Sequence, residues 1–235
     1  MSVAITANAA NYLSCNGTSF GGLQNASAQT FCAWIKPSSN SISREIFSIG
    51  ATTSSDIFSA RAKSDATIRG LFSGGETATL GSFSANNWYF VAISKAATNL
   101  SGNAGFAAEG AGSFSYAVTG QGTSTSTNSL AYFILGGTTW GPSGVFGGEI
   151  CCARFWNAQL SAEELYQEMT HSAAQKATGL IADWRLSTNS DLTSGSYSLT
   201  KVGTVTTGAT EPTDIASVAS VAPIAAYYQN MRSND

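Results

Sequence analysis

Short runs of alternating apolar and polar residues dominate this chain. A typical run is Thr30–Lys36, which reads Thr-Phe-Cys-Ala-Trp-Ile-Lys and ends at Pro37 and a Ser/Asn turn. A period of two residues is typical of strands that bury one face. The pattern predicts strands over Thr30–Lys36, Glu45–Gly50, Ile57–Arg61, Thr67–Phe72, Thr77–Phe83, Trp88–Ser94, Ser113–Val118, Leu130–Gly136, Glu149–Trp156 and Leu180–Leu186.

One segment has the pattern of a helix start. Ser161 is a natural N-cap, and Glu164 stands three residues later, as in a capping box. Glutamates in a first turn also suit the positive end of the helix dipole. The helix is predicted to end at about Ser172, with Leu165 and Met169, four residues apart, facing the sheet.

Polar turns rich in Gly, Ser and Asn separate the predicted strands, a spacing typical of a β-sandwich or barrel. Two stretches of low complexity, Gly120–Ser129 and Thr204–Pro212, are predicted to be loops. A length of 235 residues suits a single all-β domain. We place this domain at residues 1–204, followed at 205–235 by a linker and a C-terminal tail that is a candidate interaction segment.

Charged residues make up only 11% of the chain, against roughly 25% in a typical soluble protein. Because 43% of the residues are hydrophobic, disorder is not expected. A net charge of −3 argues against nucleic-acid binding, which needs clustered Lys and Arg. The densest basic group, Arg61, Lys63 and Arg69, is most simply the solvated face of two neighbouring strands.

No apolar run reaches the ~18–20 residues that a membrane-spanning helix needs, so no membrane span is expected. The first residues read Met-Ser-Val-Ala-Ile-Thr-Ala-Asn and lack both a positively charged region and a continuous apolar stretch. We therefore expect no secretory signal peptide and synthesis in the cytoplasm.

The chain contains four cysteines, Cys15, Cys32, Cys151 and Cys152, which are too few for a disulfide framework. In a strand, the adjacent Cys151 and Cys152 would point to opposite faces, so they are not expected to bond to each other or to bind one metal ion. Reduced, mostly buried thiols are the simplest interpretation. The sequence leaves open whether Cys15 and Cys32, in two early strands, are bonded.

Three motifs occur in the order found in a known family. Thr30–Pro37 looks like the family strand "f-t-v-s-a-W-v-k-p", and Asn87–Ser94 resembles its "W-h-h-v-A" strand. Gly147–Leu165 resembles its closing strand and short helix, and is the most specific of the three. The chain therefore resembles the laminin G-like jelly-roll modules of the concanavalin A-like lectin/glucanase superfamily.

The end of the chain extends this resemblance. Gly179–Leu186, followed by Asp191-Leu-Thr-Ser-Gly, is similar to the ending of many bacterial and phage-type members. The resemblance covers roughly Ser2 to Pro212. It implies an all-β fold, an antiparallel two-sheet jelly-roll sandwich with one short helix.

The chain departs from the family at positions that carry chemistry. Cys151 and Cys152 stand where the family usually has acidic residues, and the family's "L-Y-v-D-G" strand is not recognisable in Asn103–Val118. The calcium sites that some relatives build from such carboxylates are therefore not supported, and no cofactor is expected. A calcium site here would have to use backbone carbonyls and Asn.

No catalytic constellation is found in the sequence. Glucanases of the superfamily use carboxylates spaced Glu-x-Asp-x-x-Glu along one strand, whereas here only Glu149 precedes Ile-Cys-Cys-Ala-Arg. We interpret Glu149 as an edge or loop-anchoring residue. The single histidine, His171, lies at the helix end with no Asp or nucleophile beside it, and no Gly-x-Ser-x-Gly motif occurs. The protein is therefore predicted not to be an enzyme.

Recognition of a sugar is the chemistry that remains. Non-catalytic modules stack an aromatic ring on the sugar and bind its hydroxyls with Asn, Asp and backbone groups. Trp140 lies in a turn rich in Gly and Pro and is the best placed of the five Trp. Its alternative role is to fold back over the sandwich edge. Together with Trp140, we take Asn99 and Asn103 as candidate ligand-binding residues.

Two functions stay open at this point. The first is a stand-alone lectin module that binds a glycan or a cell-surface polymer. The second is a structural or decorating protein of a larger assembly, such as a phage particle, whose loops or tail contact protein partners. The scarcity of charge, the missing acidic positions and the unmatched tail favour a recognition or structural protein displayed on a virion or other extracellular assembly, with glycan binding as an additional role. A fold by itself does not decide between them.

Overall fold

The structure is a computed structural model that describes residues 2–6, 11–16, 27–40, 44–50, 57–72, 75–76, 79–97, 102–121, 130, 132–137, 145–186, 192–193 and 197–215. Within these ranges the chain forms sixteen strands and one helix. No helix there is long and apolar enough to cross a membrane. The elements are β1 (Val3–Ile5), β2 (Tyr12–Asn16), β3 (Gln29–Pro37), β4 (Arg44–Gly50), β5 (Ile57–Ala62), β6 (Thr67–Phe72), β7 (Gly75–Glu76), β8 (Gly81–Ser82), β9 (Tyr89–Lys95), β10 (Gly102–Ala108), β11 (Tyr116–Gln121), β12 (Tyr132–Leu135), β13 (Gly148–Trp156), α1 (Ala162–Thr170), β14 (Leu180–Trp184), β15 (Thr200–Val202) and β16 (Val205–Thr207).

The strands form two sheets. Sheet A has the order β11-β10-β9-β3-β13-β1-β16, and β14 pairs with the end of β13 beyond β1. Sheet B has the order β15-β2-β12-β4-β5-β6-β7, and β8 pairs with β6. The pairings between these strands are antiparallel. The predicted all-β, two-sheet jelly-roll sandwich with one short helix is confirmed.

Aromatic side chains fill the space between the sheets. Phe31 of sheet A stacks on Phe47 of sheet B, with ring centroids 3.6 Å apart. Phe133 of β12 stacks on Trp184 of β14 at 4.6 Å. All four side chains are fully buried, because alternate residues of each strand point into this core.

The helix begins as predicted. The Ser161 side chain accepts a hydrogen bond from the Glu164 backbone N–H, and the Glu164 carboxylate accepts one from the Ser161 N–H at 2.9 Å. Leu165 and Met169 are buried against sheet A. The helix ends at Thr170, two residues before the predicted end, because the next residue, His171, has an extended backbone.

Three predictions about the strands need correction. The run Thr77–Phe83 is not one strand, because its described part contains only β8. The apolar residues on either side of β8, Leu80 and Phe83, both enter the core. The stretch after β9, where no family strand was recognised, contains β10, whose small residues pair with β9 along their whole length. The predicted loop Thr204–Pro212 contains β16, which pairs with β1 at the edge of sheet A.

The adjacent cysteines of β13 do not alternate as predicted. Cys152 has a positive φ of 51°, and the pairing of β13 with β3 shifts between Cys151 and Arg154. Such a β-bulge inserts one extra residue and reverses the alternation. Both thiols therefore lie in the same buried cluster under α1, together with Cys32. The four cysteines are free, so the Cys15–Cys32 disulfide that the sequence left open is not formed.

Candidate functional site

The outer face of sheet A is covered by the protein itself. Trp34 of β3 donates a 3.0 Å hydrogen bond from Nε1 to the Met169 carbonyl of α1. A second cover is residues 208–215, which we call the strap, and its Ile215 packs against the same apolar layer. The described members of this layer are Cys32, Trp34, Trp88, Phe90, Ala92, Ala107, Phe114, Cys151, Cys152, Trp156, Leu160, Leu165 and Met169.

A buried ion network fastens α1 to sheet A. The fully buried Arg154 guanidinium donates to Glu168 Oε2 at 2.8 Å and to Asp183 Oδ1 at 3.3 Å. It also donates to the His171 carbonyl at 2.8 Å. Burial alone would lower the pKa of Arg154, but the Asp183 carboxylate and its other neighbours outweigh this effect and raise it. Arg154 therefore holds the helix end in place.

Glu149 fastens the strap to the opposite part of sheet A. Its Oε2 accepts hydrogen bonds from the Ser2 hydroxyl at 2.7 Å and from the Thr210 N–H at 3.3 Å. Its Oε1 lies 3.4 Å from Lys36 Nζ. Farther along, the Glu109 carboxylate accepts a 2.9 Å hydrogen bond from the Thr213 hydroxyl. The interpretation of Glu149 as an anchoring residue is confirmed.

The outer face of sheet B has a different character. Four neighbouring strands, β2, β12, β4 and β5, each contribute one residue to a cross-strand row on this face. In order, these residues are Ser14, Ile134, Ser48 and Ser59. We call these three serines the serine row. They point away from the core because the residues beside them in sequence, such as Leu13, Phe47 and Phe58, fill it. Ser48 and Ser59 are fully buried, and Ser14 is 4% exposed.

Two arginines extend this polar face. Arg61 of β5 and Arg69 of β6 are direct cross-strand partners. The Arg61 Nε donates a 2.7 Å hydrogen bond to Glu45 Oε1, and Glu45 is only 3% exposed. Arg69 Nη2 lies 3.3 Å from Asp65 Oδ2 in the turn that joins the two strands. The prediction that the basic group lies on two neighbouring strands is confirmed for Arg61 and Arg69.

The described residues that flank the segment with Trp140 lie beside this face. Trp140 itself lies outside the described residues, within 138–144. On its C-terminal side, Val145 forms a parallel bridge with Glu45, the partner of Arg61. On its N-terminal side, Gly136 donates a 2.7 Å hydrogen bond to the Ile46 carbonyl. The described residues on both sides of the segment, Gly136 and Val145, are therefore fixed at the start of β4.

The two asparagine candidates belong to another part of the molecule. Asn99 lies outside the described residues, in the connection between β9 and β10. Asn103 lies on β10, half-buried, and pairs with Ser94 on the outer face of sheet A. The β9–β10 connection leaves sheet A at the end where β3 begins, whereas the Trp140 segment leads into β13 at the end where β3 finishes. The described structure therefore does not bring Asn103 and the Trp140 segment together.

The carboxylates of the described chain hold the fold together. The nearest arrangement to a catalytic pair, Glu168 and Asp183, binds one buried arginine, and Glu168 also accepts hydrogen bonds from the Gln175 and Lys176 N–H groups. His171 caps α1, with Nδ1 2.8 Å from the Gln167 carbonyl. Among the described residues, no group of three or more His, Cys, Asp and Glu side chains is placed to hold a metal ion. The carboxylates with a structural partner include Glu45, Asp65, Glu109, Glu149, Glu164, Glu168, Asp183 and Asp214.

Sequence reasoning did not identify the serine row or assign a site to the arginine pair. A signal was available, because Phe58-Ser59-Ala60-Arg61 alternates and places Ser59 and Arg61 on one face. The neighbours that complete the face, Ser48 and Glu45, come from another strand through the β4–β5 register. That register is not encoded in the local pattern.

Two solved structures with the same fold, a pentraxin and a protein assigned as carbohydrate-binding, support this description. A heptameric SAP-like pentraxin from Limulus polyphemus is similar with a TM-score of 0.57 and 15% identity, over 87% of this chain and 92% of that chain. A protein from Bacteroides ovatus assigned as carbohydrate-binding is similar with a TM-score of 0.57 and 19% identity, over 88% of this chain and 61% of that chain. A sialidase from Trypanosoma rangeli matches in part, with a TM-score of 0.46 and 14% identity over 63% of this chain and 23% of that chain. At these identities the likeness concerns the fold alone.

Sequence comparison decides the family. No curated protein matches the sequence. The family profile Laminin G 3, described as the concanavalin A-like lectin/glucanases superfamily, matches residues 7–166. This match spans more than half of the 235 residues and ends inside α1, as the closing strand and helix motif predicts. The chain therefore belongs to the concanavalin A-like lectin/glucanases superfamily, in its laminin G-like branch.

Proposed function

We propose that this chain is a non-enzymatic recognition protein that binds glycans on the outer face of sheet B. The observation that carries the proposal is the parallel bridge between Val145, the described residue that follows the Trp140 segment, and Glu45, the partner of Arg61 on that face. The opposite outer face is covered by α1 and the strap. The Bacteroides ovatus protein, which has the same fold and is assigned as carbohydrate-binding, supports this reading.

The chemistry of the face suits a sugar. Guanidinium groups and the hydroxyls of partly exposed tyrosines are hydrogen-bond donors that fix sugar hydroxyls, and an aromatic ring supplies the apolar contact. Tyr12 and Tyr132 of sheet B are half-buried, and Trp140 is the sequence-based candidate for stacking. Since the described carboxylates are engaged in the fold, the proposal assigns binding and no bond cleavage.

The second part of the proposal is display on a larger assembly, such as a phage particle. The strap supports it, because Glu149 and Glu109 hold the chain on the outer face of sheet A as far as Thr213. Residues 216–235 follow the strap and are proposed to provide the contact with protein partners. A stand-alone lectin is the alternative, in which these residues have no partner.

A glycan array with the full chain tests the first part. Wild-type protein is expected to bind a defined set of glycans, and Trp140→Ala is expected to abolish binding without lowering the melting temperature. Asn103→Ala, on the other sheet, is the matched variant and should bind like wild type. Loss of binding in Asn103→Ala alone would move the site to sheet A, and no binding to any glycan would overturn the lectin function.

Particle assembly tests the second part. The gene is expressed with and without the codons for residues 216–235 in the cell that produces the assembly, and purified particles are probed for the protein. We expect the full chain in the particles and the shortened chain in the soluble fraction only. Equal incorporation of both would contradict a role of this segment in assembly, and absence of both would favour the stand-alone lectin.

A further inference from the structure

We infer that the glycan bound by this protein carries an acidic group, and that Arg61 and Arg69 bind that group together. The inference rests on the proposed function and names the class of ligand for the same face. It is carried by the geometry of the two arginines and by the different character of their two carboxylate partners.

The two arginines lie directly opposite each other. In the antiparallel pair of β5 and β6, Arg61 is the partner of Arg69, and the adjacent Ala62 and Ile68 point into the core. Both arginine side chains therefore project from the outer face of sheet B, with Cβ atoms about 5 Å apart. Like charges in this position destabilise a sheet. In this structure Glu45 and Asp65 offset that repulsion, so an anionic group that joins the two arginines has to replace one of these carboxylates.

Arg61 is positioned by a buried carboxylate, and separating the two would be strongly unfavourable. The Glu45 side chain is 3% exposed, and its Oε1 accepts hydrogen bonds from both Nε and Nη2 of Arg61. Moving away would leave a buried carboxylate without its cation, which is strongly unfavourable. The Arg61 side chain is 23% exposed. The buried Glu45 therefore orients it from the protein side, while part of it faces solvent.

Arg69 is held by a carboxylate that can be replaced. Its partner Asp65 is 54% exposed, and their contact is a single one at 3.3 Å. Asp65 Oδ1 also accepts a 2.5 Å hydrogen bond from the Thr67 hydroxyl, which lowers the pKa of Asp65. An exposed ion pair of this kind contributes little to stability. The carboxylate of a ligand can therefore compete with Asp65 for Arg69, and Asp65 keeps its hydrogen bond with Thr67.

A buried hydroxyl stands beside the pair. Ser59 lies two residues before Arg61, on the same face of β5, and is fully buried. Its Oγ has no hydrogen-bond partner in the described part of the chain. Buried hydroxyls are nearly always hydrogen-bonded, so the unsatisfied Ser59 hydroxyl marks incomplete polar satisfaction beneath the arginine pair and is not itself a contact for the ligand.

The charge of the whole protein makes this arrangement specific. The chain has a net charge of −3 and 11 basic residues, three of which, Arg61, Lys63 and Arg69, lie within nine positions on β5, β6 and their turn. Elsewhere the net negative charge repels polyanions. Planar guanidinium groups bind carboxylate and phosphate groups through two parallel hydrogen bonds, so the arginines select for an anionic group and the proposed sugar site selects for the glycan that carries it.

Matched oligosaccharides that differ only in charge test the inference. The full chain is titrated with a trigalacturonate and with its methyl ester, and in separate arms with a sulfated oligosaccharide, inorganic phosphate and a short single-stranded DNA. The variants are Arg69→Gln and Arg61→Gln, and Lys201→Gln is the matched control, because it removes the same charge from β15 at the far edge of sheet B. Arg69→Gln is the primary variant, since its partner Asp65 is 54% exposed and stays hydrated when the arginine is removed.

Wild type and Lys201→Gln are expected to bind the free acid at least about tenfold more tightly than the ester, a difference that one charge-assisted hydrogen bond supplies. Arg69→Gln is expected to bind acid and ester alike. A preference for the acid that survives in Arg69→Gln, equal binding of acid and ester by wild type, or equally tight binding of phosphate or DNA would overturn the inference. Binding of neutral glycans alone would overturn it while leaving the proposed function intact, whereas binding of no glycan would overturn both.

Discussion

The Ser2 hydroxyl donates a 2.7 Å hydrogen bond to Glu149 Oε2, although the two residues are 147 positions apart in the chain. The same hydroxyl contacts the Thr210 carbonyl at 2.7 Å. Gly208 makes this possible, because a Cβ there would overlap the Ser2 side chain. One carboxylate thus joins the first strand, the closing strand of sheet A and the strap.

This junction predicts a specific acid sensitivity. Burial alone would raise the pKa of Glu149, but hydrogen bonds from Ser2 and Thr210 and the charge of Lys36 lower it below its ordinary value of 4.5. Its contribution to stability is therefore complete above the ordinary value and is lost as pH falls through the lower, folded-state pKa. Urea unfolding at several pH values should show wild type losing more stability than Glu149→Gln between about pH 5 and about pH 3. Parallel stability curves for the two proteins would contradict this role.

Removing the buried cation of the α1 network is expected to be costly. Arg154→Met removes the buried cation that Glu168 and Asp183 share, so the free energy of unfolding should fall by about 3–5 kcal/mol. The control is Lys176→Met, which removes a half-exposed partner of Glu164 and should cost no more than about 1 kcal/mol. Chemical denaturation measures both. Equal losses in the two variants would mean that burial does not set the strength of this network.

The capping box of α1 is expected to contribute measurably to stability. Ser161→Ala removes the acceptor of the Glu164 N–H, and should lower the free energy of unfolding by about 1 kcal/mol. Ser161→Asp preserves an acceptor at the same position and should stay close to wild type. Thermal unfolding followed by circular dichroism distinguishes the three proteins. A larger loss in Ser161→Asp than in Ser161→Ala would contradict the assigned cap.

The four thiols should differ in reactivity. Cys15 is the half-exposed one, whereas Cys32, Cys151 and Cys152 are buried. Burial also raises the pKa of Cys32 and Cys151 well above the ordinary value. A thiol reagent such as DTNB at about pH 8 should label Cys15 first and the other three only after unfolding, because burial keeps the reagent from all three, including Cys152, whose pKa is lowered by a hydrogen bond with Cys151.

Cys15→Ser is the control for this experiment and should remove the early phase while leaving the late one. Titration in denaturant without a reductant should count four thiols, in agreement with four free cysteines. A count of two would indicate a disulfide and contradict the structure.

Signals that lie within a few residues of each other were interpreted correctly from the sequence. The alternation of Thr30–Lys36 predicts β3, and Ser161 with Glu164 predicts the start of α1. Both depend on local backbone geometry, in which side chains repeat every two residues in a strand and every three to four in a helix. The closing motif of strand and helix was correct for the same reason.

Features set by a neighbouring strand were missed. The alternation through Cys151 and Cys152 predicts opposite faces, but the ladder with β3 contains a bulge that places both thiols under α1. The small residues of Gly102–Ala108 carry little hydrophobic signal, and they form a strand because β9 pairs with them along their length. In both places the tertiary environment outweighs local propensity.

By itself the sequence determined an all-β sandwich, the helix that covers one sheet and the absence of a catalytic carboxylate motif, since these follow from local periodicity and from residue identity. Only the tertiary structure decided that Val145 bridges to Glu45, that Arg61 and Arg69 share the polar outer face of sheet B with Ser59, and that the strap helps to close the opposite face. The physical reason is that strand alternation sets which residues share a side, whereas pairing between distant segments sets which strands are neighbours and which side is covered.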